Sequence, residues 1–153
     1  MSFPSLEEVI ACNEAVRGPD EISPSADDDD LDRVARALDR ARIESDPIDT
    51  AAALAFELTS AQAFHEGNKR TAAVMARWFS RTNTDIDPDR IIKPDDPKFA
   101  DLLIAAARGD DVGAEIRGLF HSRAETHGGS DAEARRSLDA LTAEAQDLGF
   151  YDE

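Results

Sequence analysis

Cysteine is almost absent from this 153-residue chain, with Cys12 standing alone. A single thiol excludes an internal disulfide and suits a reducing cytoplasm. Lysine is scarce too: there are three lysines against fourteen arginines, and 17 basic against 33 acidic residues. The resulting formal net charge of -16 repels phosphate backbones, whose affinity for proteins comes mainly from cations displacing counterions. DNA and RNA are therefore not expected as partners. No apolar run approaches the length of a membrane span. The N-terminus, MSFPSLEEVIACNEAV, lacks the basic start and long apolar core of a signal peptide. A cytoplasmic protein with no membrane partner is the expectation. Its acidic, lysine-poor surface suits a salt-adapted cell, or equally a GC-rich genome that favours arginine and alanine codons.

What is present is enough for one core, since 41% of residues are hydrophobic and 33% charged. No stretch alternates cleanly enough for a strand, so the chain reads as all-α, with short turns between helices. A first helix is expected over 5–16, followed by RGPDEISPSADDDD, which Gly18, Pro19 and Pro24 keep irregular. Leu31, Val34, Leu38 and Ala41 recur at helical spacing. The aspartates at 27–30 before them read as a solvated N-terminal cap rather than a metal site. Asp46 and Pro47 then open a helix whose body, TAAALAFELTSAQAF, is apolar on most faces and belongs at the centre of the bundle. Another helix is expected over about 68–81, with Val74, Met75, Trp78 and Phe79 in the core. Pro88, Pro94 and Pro97 break up the segment after it, and shorter helices follow near 98–108 and 112–123. The chain thus divides into a domain over 1–127 and a helical extension over 128–153. In the extension, Ser130 and Glu133 form a capping-box pattern, and Leu138, Leu141, Ala145 and Leu148 form one apolar stripe. The stripe docks on its own domain or serves a partner.

The chemistry concentrates in FHEGNKRT. Gly67 and Asn68 are explained by a helix–turn–helix joint alone. Lys69 and Arg70 are not, because cations in the first turn of a helix oppose its dipole. An anion would reverse that sign. Backbone N–H groups, the dipole, an amide, a lysine and an arginine fork together make a phosphate site. Glu66 beside them offers the hard oxygen that a nucleotide-borne Mg²⁺ prefers. His121 and His127 read as a helix end and a linker, and with Cys12 distant they make no zinc spacing.

The segment QAFHEGNKRT resembles the Fic/Doc (Fido) signature H-x-F-x-[D/E]-G-N-[G/K]-R, matching at Phe64, Glu66, Gly67, Asn68, Lys69 and Arg70. The surrounding chain resembles the death-on-curing (Doc) branch from residue 5 to about 123, including KRTAAVMARWF and ADLLIAAARGDDVGAEIRGLF. The resemblance implies a Fido-type helical bundle with its phosphate loop between two central helices. It further implies a small flap near 17–28 that holds the target polypeptide. By the same resemblance Phe64 anchors the loop and Glu66 holds Mg²⁺, while Gly67 admits the nucleotide. Asn68 and the loop amides form an anion hole, and Arg70 binds phosphate. Lys69, where AMP-transferring members have glycine, and Ala73, where they have a second arginine, both favour the Doc branch. That branch phosphorylates a translation factor from a nucleoside triphosphate and acts as the toxin of a toxin–antitoxin pair.

One position departs from the signature. Gln62 stands where the family has the histidine that takes the proton from the target's hydroxyl, and a primary amide has no useful basicity near neutral pH. Losing a general base removes about 10²–10⁴-fold of rate. The chain is then a binding-competent pseudoenzyme acting through a protein partner, or it uses another base, or residue 62 is an introduced substitution. His65 is the nearest alternative base but lies three residues on, and it reads better as an exposed polar residue. Neither terminal helix carries an S/T-x-x-x-E-[G/N] inhibitory motif, so regulation would require a separate antitoxin protein.

Overall fold

A computed structural model describes residues 1–17, 27–93 and 95–127, with backbone only at 126 and 127. Among these residues the fold is all-α, with seven helices and no strand. They are α1 (Leu6–Arg17), α2 (Asp28–Arg42), α3 (Pro47–Ala61), α4 (Asn68–Asn83), α5 (Pro88–Ile91), α6 (Pro97–Ala107) and α7 (Gly113–His127). The extension over 128–153, and the expected flap apart from its ends, lie outside the described residues. No described helix is long and apolar enough to cross a membrane.

The helix starts follow their caps. Asp27 accepts from the Asp30 backbone N–H at 2.9 Å while Asp30 accepts from Asp27, closing a reciprocal capping box. Hydrogen bonding from the Asp27 backbone, and then Arg33, holds the Asp30 carboxyl below the usual range. The acidic run is thus a solvated cap, as its sequence implies. Asp46 caps α3 by accepting from Ile48 at 2.7 Å, with Pro47 at the first helical position. Several boundaries differ from expectation: α3 ends at Ala61 rather than carrying its apolar run through Phe64, and His121 lies within α7 rather than at its end. The proline-rich segment folds a short helix, α5, capped by Asp87. Helix α7 continues to His127, so that residue ends a helix rather than lying in a linker.

Helices α3 and α4 form the central pair; α2, α6 and α7 pack on α3, and α1 packs on α4. This placement follows composition. Ala51, Leu54 and Ala55 of α3 and Ala72, Val74, Met75, Ala76 and Phe79 of α4 are essentially inaccessible, and small alanines let neighbouring helices approach closely. Trp78 packs against this core but remains half-buried.

The buried Arg77 and the largely buried Arg123 fasten the segment between α4 and α6. Arg77, 2% exposed, donates to Asp89 at 2.5 Å and to the Ile92 carbonyl. Arg123 grips both oxygens of Asp96 and donates to the Ile91 carbonyl at 2.7 Å. Asp96 also caps α6 through Phe99 N–H.

Candidate functional site

Helix α3 ends because Gln62 turns left-handed, at φ 46° and ψ 45°. Its backbone N–H donates to the Thr59 carbonyl at 3.2 Å, and its side-chain amide donates to the same oxygen at 2.8 Å. Gln62 thereby satisfies a carbonyl that the helix end would otherwise leave orphaned. Ala63 and Phe64 then drop into the main core, while His65 and Glu66 stand exposed.

Asn68 closes the loop from within. Its side-chain oxygen accepts from Phe64 N–H at 3.0 Å and its amide donates to the Phe64 carbonyl at 2.8 Å, in a side chain only 2% exposed. Both ends of the carboxamide thus brace the loop. The amide nitrogen carries a second N–H, so holding the loop does not exhaust what Asn68 can donate.

Gly67 begins α4 at φ 79°, a left-handed conformation that favours glycine. A Cβ there would lie 3.1 Å from Asn13 Nδ2, with Val16 and Arg17 each at 3.4 Å. Glycine is required twice over, by conformation and by the proximity of α1.

Asn13 is the site residue that sequence reasoning missed. It is fully buried, and its amide donates to the Glu66 carbonyl at 2.8 Å and to Thr71 Oγ1 at 3.2 Å. Arg17 Nε in turn donates to Asn13 Oδ1 at 2.9 Å. A signal was available: Val9, Cys12 and Val16 place Asn13 on the buried face of α1, and a polar side chain there must have partners. Arg70 adds a second tie by donating to the Val16 carbonyl. A guanidinium carries five N–H donors, so holding α1 and binding a phosphate are compatible roles.

The N-terminus of α4 has no side-chain cap and no acidic residue in its first turn. Lys69 and Arg70, both half-buried, occupy that turn instead. The dipole, backbone N–H groups and two cationic residues share that turn, a combination that favours anions. Glu66 is exposed with its carbonyl fixed by Asn13, which leaves the carboxylate on the solvent side of the loop.

Residues 13–80 match the model of the Fic/DOC family. The Fic/DOC match begins at Asn13 and spans α2, α3, the loop and most of α4. It supports a Fido-type assignment for the segment that carries the site. Comparison with curated proteins and with solved structures gives no significant match in either.

The other histidine of interest lies elsewhere. His121 Nε2 is 2.6 Å from Asp49 Oδ1, and Asp46 completes a group whose ligand-type atoms lie within 4.8 Å of one another. This group links α3 to α7 at the opposite end of α3 from the loop. Asp46 is exposed and already caps α3, and the Asp49–His121 pair accounts for the rest as a structural contact.

Proposed function

We propose that this chain is a Fido-type protein of the Doc branch that binds a nucleoside triphosphate with Mg²⁺ on the loop between α3 and α4. The observation that carries the reading is the start of α4, where Gly67 replaces a side-chain cap and Lys69 and Arg70 replace acidic residues. Cations at that position are unfavourable without an anion. The donor set fits a nucleotide-borne magnesium ion, which takes one or two carboxylates and completes its shell with phosphates and water. Glu66 is the residue that would hold it, and the ion would supply neutralisation of phosphate charge.

The proposed activity is transfer of a phosphoryl or nucleotidyl group to a hydroxyl of a target protein, as the toxin of a toxin–antitoxin pair. A translation factor is the proposed target class and a separate antitoxin the proposed regulator. Backbone amides and cations position the phosphates, which is most of what such a transfer asks of a protein. A second reading is favoured by one specific observation. Gln62 has no proton-accepting nitrogen and its amide is bonded to Thr59, so the chain as it stands suits a nucleotide-binding pseudoenzyme that acts through a partner.

Thermal unfolding with a panel of nucleotides and Mg²⁺ tests the shared claim. A ligand at 100 times its Kd adds about 2.7 kcal/mol to stability, a clear rise in midpoint. Arg70→Ala should lower the unliganded midpoint, because the bond to Val16 is lost, and should also abolish the ligand-induced rise. No rise with any nucleotide in the parent chain would remove the phosphate reading.

A further inference from the structure

Helix α1 ends against the start of α4, and basic side chains from both helices lie at the junction. Arg17, in the last turn of α1, is half-buried. A Cβ at Gly67 would lie 3.4 Å from its Cγ, so the arginine stem rests on the residue that begins α4. Arg17 Nε donates to Asn13 Oδ1 at 2.9 Å, and the Asn13 amide holds the Glu66 carbonyl at 2.8 Å. That bond uses one N–H of the guanidinium; the other four sit on its two terminal nitrogens. Arg70 reaches the same turn of α1 from α4 by donating to the Val16 carbonyl.

Capping of α1 explains part of this, because a helix C-terminus carries about half a negative charge. The N-terminus of α4 beside it carries about half a positive one, and the two ends offset each other. Arg17, Lys69 and Arg70 then face the carboxylates of Glu66 and Glu14, both exposed and screened by solvent. A chain of net charge -16 thus commits three of its 17 basic residues to one junction. We propose that Arg17 is a third phosphate-binding residue of the loop site, supplied by α1, and that it selects a chain of phosphates over a single one. This deepens the proposed function and rests on it. Lys69, Arg70 and the backbone N–H groups share one turn of α4, a compact set that a single phosphate can occupy. A guanidinium on a neighbouring helix extends the donors to the next phosphate, where its planar fork can take two oxygens. The bond from Nε to Asn13 pre-orients that fork, so less freedom is lost on binding.

The full chain, isotopically labelled, is titrated with inorganic phosphate, pyrophosphate and tripolyphosphate at fixed Mg²⁺ and ionic strength. These probes remove any contribution from a base or sugar. The parent chain should bind tripolyphosphate most tightly, with a saturable shift of the Arg17 Nε–H signal. Arg17→Met keeps a stem on Gly67 but removes the fork. It should weaken tripolyphosphate about tenfold or more and phosphate by less than about threefold. Arg36→Met removes the same charge from the exposed face of α2 and should change each affinity by less than about threefold. An equal loss for all three anions in Arg17→Met would make Arg17 a brace for Asn13 alone and overturn the proposal. Unchanged tripolyphosphate affinity would do the same, as would an unmoved Arg17 signal in the parent, which needs no variant to fold. If nucleotides raise the thermal midpoint while none of the three anions binds, this inference fails and the nucleotide reading stands; if neither binds, both fall.

Discussion

Asn13 and Gly67 show how closely the loop depends on side chains outside its own motif. A Cβ at position 67 would lie 3.1 Å from the Asn13 amide nitrogen, so close that the amide would have to give slightly, and that amide holds the Glu66 carbonyl in place. Asn13→Ala should cost about 1–3 kcal/mol, because it strips partners from buried groups. Gly67→Ala should cost a similar amount, about 1–3 kcal/mol, through positive-φ strain and crowding. The two changes should not add. Removing the amide makes room for the new methyl, so a double-mutant cycle by urea unfolding should show coupling of about 0.5 kcal/mol or more. Strict additivity would mean that the contact between α1 and the loop is energetically idle. Gln62 poses a related question at the same scale. A left-handed backbone at this position suits histidine at least as well as glutamine, so replacing one with the other should preserve the turn.

At the scale of elements, much was legible in sequence because caps and periodicity are local. Asp27, Asp46 with Pro47, and the apolar run of α3 each fixed a helix start or a burial pattern. The motif also placed its residues on one turn without help from the fold. What remained hidden depended on partners distant in the chain. Asn13 reaches Glu66 across 53 positions, and Arg123 reaches Asp96 across 27. Neither pairing has a local pattern. Helix α5 was obscured for a different reason: its prolines read as breakers, yet Pro88 sits at a first helical position where proline is tolerated. The Arg123–Asp96 pair should be structurally decisive. Asp96→Ala leaves a largely buried guanidinium without its carboxylate and uncaps α6, and should destabilise the fold by roughly 3–5 kcal/mol. A loss below about 1 kcal/mol in denaturant unfolding would show the pair to be dispensable.

The molecule as a whole carries many carboxylates, and Glu57 is one that folding disfavours in its charged form. With its folded pKa raised by burial above the unfolded value, the native chain binds its proton more tightly than the unfolded chain. Stability then falls as pH rises through the window from the ordinary glutamate value to the folded one. Glu57→Gln removes this contribution. Its midpoint should exceed the parent's near neutral pH, and the difference should vanish below the ordinary glutamate range. A difference independent of pH would contradict the assignment.

The same molecule joins two cations at the start of α4 to a glutamine at position 62, and in the proposed function these two features make separable demands. On that proposal, holding a nucleotide rests on the α4 N-terminus, Lys69 and Arg70, whereas activating a hydroxyl would need a proton acceptor where Gln62 stands. The most direct measurement is transfer from labelled nucleoside triphosphates to protein in host lysate, with nucleotide affinity measured alongside, for the parent chain, Gln62→His and His65→Ala. The account predicts similar nucleotide affinity in all three, transfer that rises by about 10²-fold or more in Gln62→His, and no effect of His65→Ala. Brisk transfer by the parent chain that disappears in His65→Ala would contradict it and make His65 the base.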